Sequence, residues 1–292
     1  MELSTNDCCI LNGGSGSWAF EPLAQQLSRA LGVAVSEEPR RFNYLLHLES
    51  MSNDFAERLF IPWPAIRLAS DKRLMAAAFE RGSVPTPRTV LIDNFDDVTR
   101  FIAANPQAEW CLKYPTSCGA IGHRLISATS SQPPKWPRPF VVQEFIRQVS
   151  PEVYRLYGAG GELFGWVARR FPAGTRPSPW VAHARGACYE FAGEAPRPAI
   201  DAAHAALRSC DLDESFGCVD LLPRPSGEWV VLEVGTDGMY NHVDRALGIL
   251  GLEAELLRRI ADSFWKRAYE RRPADGRTGG LLPSIPQSSS AP

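Results

Sequence analysis

The chain lacks any long apolar run. Its 292 residues contain no stretch of the roughly 18 apolar residues that a membrane span needs, so no membrane partner is expected. It opens MELSTNDCCILNGG, with neither a basic segment nor an apolar core of signal-peptide type, and a cytoplasmic location is the expectation. It lacks a surplus of either charge: 31 Lys and Arg stand against 33 Asp and Glu, a net charge of −2. That balance argues against a nucleic-acid partner and against a solvating acidic tail. The seven cysteines are scattered, and Cys8-Cys9 has no second pair, so neither a zinc site nor a disulfide framework is expected. The chain contains no GxxxxGK[ST] phosphate loop. Its GGSGS stretch (13–17) falls short of GxGxxG because Ala19 stands where the last glycine belongs, so a tight strand-to-helix turn is the better reading. No internal repeat and no spacing suggestive of a Ser-His-Asp or Cys-His pair occurs.

What is present is an ordinary globular composition, 45% hydrophobic and 22% charged, enough for a sizeable core in two or three lobes. CCILN (8–12) reads as a buried strand, followed by a helix with an apolar stripe at Phe20, Leu23, Leu27 and Leu31. FNYLLHL (42–48) reads as a second strand. Residues 50–70 carry no clear period, and Pro62 and Pro64 break any long helix. A helix over 71–81 ends at Gly82, and VPTPRT (84–89) is an extended connector. Next come a strand at 89–93, a helix at 94–104 with Phe95, Val98, Phe101 and Ile102 inward, and strands WCLKY (110–114), HRLI and PFVVQEFI (139–146). Residues 154–170 form a hairpin around Gly160-Gly161; 171–198 is loop with room for one strand; a helix covers about 197–210. FGCVDLL (216–222) and EWVVLEV (228–234) form a second hairpin, and a helix over 253–271 closes the chain. Residues 273–292 are expected to be a disordered tail. A βαβ-like start followed by antiparallel hairpins is an α+β pattern of two lobes, and clefts between lobes are common ligand sites.

The sharpest constellation is Asp220 and Glu233. If the second hairpin closes on the two-residue loop Ser226-Gly227, these carboxylates face each other, with Cβ atoms roughly 5 Å apart. Val219, Leu221, Val230, Leu232 and Val234 then share the opposite, core face. Two carboxylates so close repel unless a cation lies between them, and Mg²⁺ with its preference for hard oxygen is the natural one. The alternative is a solvated face bearing two acids, which Trp229 and Cys218 beside them make drier. Lys113, inside an apolar strand just ahead of TSCGAIG, reads either as a phosphate clamp or as a strand-edge lysine; Lys72 reads either as a ligand residue or as a solvated lysine after the helix cap at Ser70-Asp71. Taken singly, the plainer reading of each lysine is favoured.

In order and spacing these segments together resemble the ATP-grasp superfamily, over about residues 65–250. DKRLMAAAFERGSVPTPRT is similar to that family's first helix and connector, WCLKYPTSCGAIG to its second-lysine strand and mobile loop, and VVQEFI to the hinge between its grasping lobes. YRLYGAGGELFGWVARR resembles its arginine hairpin, and FGCVDLL…GEWVVLEV its metal hairpin. The resemblance implies an α+β ATP-grasp fold with a Rossmann-like lobe at 1–65, a small lobe at 66–145 and a C-terminal lobe at 146–272. It implies ATP and Mg²⁺ as cofactors: Lys72 and Lys113 on phosphate, Gln143, Glu144, Phe145 and Ile146 around adenine, and Glu152 on ribose. Arg155 and Arg169 (or Arg170) would lie on the γ-phosphate or the acceptor carboxylate, with Asp220 and Glu233 on metal. One departure is that Gly235 replaces the Asn usual two residues after the metal Glu; Asp237 or Asn241 is placed to supply that ligand. The implied activity is a carboxylate–amine ligase: a carboxylate is activated as an acyl phosphate, and an amine of an amino acid, peptide or related metabolite displaces phosphate. A homodimer is also implied. The rivals are a phosphotransferase, a non-catalytic nucleotide-binding module, and, resting only on GGSGS, a dehydrogenase. His123, His183 and His242 read as surface or site-edge residues, and Cys118 has no histidine at a supporting spacing.

Overall fold

The computed structural model describes residues 4–49, 53–236 and 251–270, with the backbone alone at 53 and 54. The apolar run Cys8–Asn12, buried along its whole length, forms β1, the centre of a three-stranded parallel sheet. A strand covered on both faces has no reason to alternate. Its neighbours are β2 (Ala34–Ser36) and β3 (Phe42–His47), in the order β2-β1-β3. The short β2 has no counterpart in the sequence reading. Helix α1 (Glu21–Leu31) covers this sheet with Ala24, Leu27 and Leu31 and stops at Gly32, whose φ of 68° is left-handed.

Helices α2 (Asn53–Ala56), α3 (Trp63–Ser70) and α4 (Lys72–Arg81) follow. No long helix crosses Pro62 and Pro64, which open α3; in a first turn the missing N–H has no partner to lose. Asp71 caps α4 by accepting from the Arg73 N–H at 2.9 Å. An antiparallel sheet then forms from β4 (Thr89–Ile92), β5 (Trp110–Lys113), β6 (Arg124–Ile126) and β7 (Phe140–Glu144), ordered β4-β7-β5-β6. Helix α5 (Phe95–Ala103) packs on one face through Phe95, Val98 and Ile102, against Trp110, Leu112, Phe140 and Val142. That leaves Cys111, Lys113 and Gln143, at alternate positions, for the other face.

The third sheet, ordered β10-β9-β8-β11-β12, is antiparallel throughout: β8 (Glu152–Ala159), β9 (Glu162–Arg170), β10 (Cys188–Phe191), β11 (Phe216–Pro223) and β12 (Trp229–Gly235). Helix α6 (Arg197–Ser209) lies on its back with an alanine face, Ala199, Ala202, Ala203 and Ala206, all buried. The approach is close because Gly158 of β8 stands directly opposite Gly217 of β11. Cβ atoms there would lie 2.5 and 2.8 Å from the two Leu207 methyls. Helix α7 (Gly251–Glu270) joins this sheet to the first one: Phe264 packs on Phe42 and Phe60 at 4.9 and 5.6 Å between ring centroids. The expected tail and residues 237–250, including Asp237, Asn241 and His242, fall outside the described residues. No helix among the described residues is long and apolar enough to cross a membrane.

Filling the slot beneath α6 should loosen the sheet that carries the carboxylates. Gly217→Val is expected to cost about 1–3 kcal/mol in urea unfolding, since the interior is close-packed and Leu207 has no room to retreat.

Candidate functional site

The free faces of the two antiparallel sheets enclose a cavity of about 220 Å³. One wall carries Cys111 and Lys113 of β5 and Gln143 and Glu144 of β7; the other carries Val153 and Arg155 of β8, Arg169 of β9, Cys218, Asp220 and Leu222 of β11, and Glu233 of β12. Phe145 and Ile146 floor it where the chain passes from one sheet to the other.

Asp220 and Glu233 are directly opposed, as the sequence suggested, but not for the reason expected. The hairpin does not close on Ser226-Gly227. The Arg224 N–H donates to Glu228 O and the Gly227 N–H to Arg224 O, giving a three-residue loop, 225–227, with Gly227 at φ 89°. That loop alone would shift the register by one and turn Glu233 to the other face. A β-bulge restores it: Asp220 pairs with Glu233, but Leu221 pairs with Val231, so Leu232 is the extra residue. The expected core face needs correcting accordingly. Val231 joins Val219, Leu221 and Val234 in the core, whereas Leu232 lines the cavity, and Val230 lies opposite the cavity-lining Leu222.

The two carboxylates differ in exposure: Asp220 is only 3% exposed, whereas Glu233 is partly open to solvent. Arg155, its cross-strand neighbour, donates from Nε and Nη2 at 2.7 and 3.1 Å, and Arg169 donates from Nη2. Burial alone would raise the Asp220 pKa; the two guanidinium charges and their hydrogen bonds outweigh burial and hold the carboxyl well below the usual range. Strand alternation decides between the two candidate arginines: Arg169 faces the cavity, and Arg170 faces away, onto Glu152, Glu190 and the Tyr154 hydroxyl. Arg169 Nε is buried without a partner among the described residues.

Lys113 is buried at 9% exposure and makes no hydrogen bond or ion pair among the described residues. Burial pushes its pKa down, with Glu233 and Asp220 acting against that and Lys72 with it. Lys72 lies just behind the cavity rather than in its wall. It is not the solvated lysine of the plainer reading: its Nζ donates to Ser117 O at 2.6 Å and stands 3.9 Å from a Glu233 oxygen. One lysine thus ties α4, the loop 115–122 and a carboxylate together.

Gln143 donates to the Thr89 hydroxyl at 2.9 Å. Glu144 lines the cavity but gives its carboxylate to Arg224, from the hairpin tip, at 2.7 and 2.8 Å; these bonds hold its pKa below the usual value. The Phe145 N–H is already donated to Glu109 O. Glu152 is not among the cavity residues: Arg170 holds its carboxylate at 2.8 Å, and its N–H bonds to Gln148, which does line the cavity.

Three further residues meet here: Trp180 escaped the sequence reading, His123 was read as a surface or site-edge residue, and Arg185 was expected in a basic loop that recognises the acceptor. His123 follows the 115–122 loop directly, and both its ring nitrogens are buried without a well-formed hydrogen bond among the described residues. Trp180, in a proline-rich loop, packs against Phe145 at 5.1 Å and His123 at 5.4 Å. Arg185, five residues on, donates to Ala120 O at 3.1 Å, so this strap lies against the 115–122 loop. No periodic pattern marks 171–187; the lone signal was a tryptophan amid Pro, Gly and Arg.

In sequence, no family model matches the chain and no curated protein matches it. Solved structures do match in shape. D-alanine–D-alanine ligase from Bacillus anthracis, complexed with ATP, is 13% identical, with a TM-score of 0.63 over 92% of this chain and 100% of that one. The chain has the ATP-grasp fold. The ATP-grasp ligase PsnB, complexed with minimal precursor, Mg and ADP, gives 15% identity and 0.62 over 92% and 100%. D-cycloserine synthetase DcsG gives 18% and 0.59 over 89% and 99%. In this ATP-grasp frame the cavity lies between the two antiparallel sheets, at the expected Asp220, Glu233 and Lys113.

The buried imidazole predicts a pH signature. Burial first, then Lys113, Lys72 and Arg185, push the His123 pKa down to about 3, against a slight opposing pull from the Ala120 carbonyl. Unfolded, the ring titrates near 6.5, so between those values the unfolded chain binds the extra proton and stability is lost as pH falls. The unfolding free energy should drop by up to about 1.4 kcal/mol per pH unit below pH 6, and His123→Gln should remove that share of the slope. Asp220, depressed in the fold, contributes only at lower pH, as pH falls below about 4.

Proposed function

We propose that the chain is an ATP-dependent carboxylate–amine ligase. The observation that carries this reading is the cavity's polar balance. Two opposed carboxylates share one wall with Arg155 and Arg169, while Lys113 on the other wall makes no hydrogen bond or ion pair and Arg169 Nε is buried without an acceptor among the described residues. Buried donors without partners are costly, and a phosphate-bearing ligand supplies the acceptors they lack.

Asp220 and Glu233 suit Mg²⁺ that arrives with phosphate oxygens. No group of three His, Cys, Asp or Glu side chains among the described residues would hold an ion unaided, and Mg²⁺ is ordinarily held by one or two carboxylates plus phosphates. When bound, the ion would offset the charge on the phosphates. Gly235, in the cavity wall, adds no ligand, and Asp237 is the proposed substitute.

The chain's own residues then divide the work. Lys113, Arg155 and Arg169 offset negative charge as a substrate carboxylate oxygen bonds to the γ-phosphorus and the bond to the ADP oxygen breaks. An amine nitrogen next bonds to the acyl carbon, the carbon–phosphate oxygen bond breaks, and the amine proton leaves. The 115–122 loop, held by Lys72, and the Trp180 strap exclude water from the acyl phosphate. Gln143, Glu144, the Phe145 carbonyl and Ile146 would meet adenine. Gln148 is better placed than Glu152 for ribose. The amine and carboxylate would come from an amino acid or peptide, in keeping with PsnB, solved with its precursor, and with D-alanine–D-alanine ligase.

Calorimetry with Mg-ATP tests the site: wild type should bind, and Asp220→Asn should bind more weakly. In a screen of carboxylate and amine pairs, acceptor-dependent phosphate release should fall by about a hundredfold or more in Lys113→Ala and Asp220→Asn. Full activity in either variant sinks the assignment. Phosphate retained on the product would instead indicate a phosphotransferase, and binding without turnover a nucleotide-binding module.

A further inference from the structure

We infer that His123 is a ligand-binding residue of this site, its imidazole N–H donating a hydrogen bond to an oxygen of the bound triphosphate. The inference rests on reading the cavity as a nucleotide site and adds a specific group to it.

Position comes first. His123 ends the 115–122 loop and stands at the mouth of β6, which pairs with the strand that ends in Lys113. Its ring lines the cavity. Both ring nitrogens are buried, and neither has a well-formed hydrogen bond among the described residues, the Ala120 carbonyl drawing only weakly on the ring. An imidazole left so loses the water it would otherwise hold, which is costly. Structures rarely tolerate such a group without a use for it. Trp180 packs on the ring at 5.4 Å and 38°, which holds it in place on the cavity side.

Electrostatics decides which part of the ligand it meets. The strongest charges acting on the ring are cations: Lys113 from β5, Lys72 from α4 and Arg185 from the strap. Leu112 pairs with Arg124, which sets His123 beside the strand end that carries Lys113, so the ring faces phosphate rather than base. Those cations and burial also keep the ring uncharged in the free protein. A neutral imidazole adds a directed N–H to the cluster without adding a fourth repelling charge. Its donor then complements Lys113, which acts as a point charge with no fixed direction.

Calorimetry on the full chain separates the possibilities, with Mg-ATP and adenosine as probes. His123→Phe keeps a ring against Trp180 and removes both nitrogens; His123→Gln restores an N–H. A hydrogen bond to a charged oxygen is worth about tenfold to a hundredfold in affinity. His123→Phe should weaken Mg-ATP by that factor and leave adenosine unchanged, and His123→Gln should recover part of the loss. Unchanged Mg-ATP affinity in His123→Phe overturns the inference. So does an equal loss for Mg-ATP and adenosine, which would place the ring on the base. Wild type that binds neither probe fails the nucleotide reading itself, and His123 with it. Should His123→Phe misfold, the ¹⁵N imidazole signal of His123 in wild type, assigned by its absence from His123→Gln, must move with Mg-ATP and not with adenosine. A signal that stays still is a refutation.

Discussion

The arrangement hangs on one buried interaction, Asp220 held between Arg155 and Arg169. A lone carboxylate at 3% exposure would pay a large desolvation cost and go neutral; two guanidinium groups on adjoining strands keep it ionised. The pairing needs three strands in correct register at once, since the arginines come from β8 and β9 and the acid from β11. The same constraint shapes the back of the sheet, where opposed glycines let α6 press close and fix β8 against β11. Arginine is suited to this place because its fork can hold Asp220 and still keep a further donor, Arg169 Nε, without a partner among the described residues.

A second tie operates across the cavity. Glu144, where β7 leaves the smaller antiparallel sheet, takes both Arg224 donors from the tip of the carboxylate hairpin. The Val231 N–H donates to Pro85 O at 2.8 Å nearby. These contacts tie the two walls to each other. The 115–122 loop and the Trp180 strap also line the cavity and are joined through Arg185 and Ala120.

Much of this was legible in the chain. The apolar strand CCILN, the capped helix at Asp71 and the alternation in FGCVDLL each carry their structure in local pattern; Asp220 and Glu233 were paired on a two-residue loop that the hairpin does not have, and Lys113 was assigned to the site through the family resemblance, its plainer local reading being a strand-edge lysine. The alternation also separated Arg169 from Arg170 once a face was assigned. What was not legible depended on contacts distant in sequence. Glu144 met Arg224, eighty residues on, rather than standing free, and Glu152 met Arg170. His123 read only as a surface or site-edge residue because nothing local buries its ring nitrogens; Trp180 packs on the ring from far along the chain. The β2 strand is only three residues long and exists through its parallel pairing with β1.

The bulge at Leu232 has a meaning for how this hairpin can vary. Side chains alternate with a period of two, so any odd change of length at the tip would invert Glu233 and destroy the pair. The bulge lies between the tip and the carboxylate, and it already absorbs one such odd step. It acts as a phase corrector: forming or erasing it lets the tip gain or lose a residue while the acidic pair keeps its facing. Length at one end of the hairpin is thereby uncoupled from chemistry at the other, and the tip is free to diverge where the carboxylates are not.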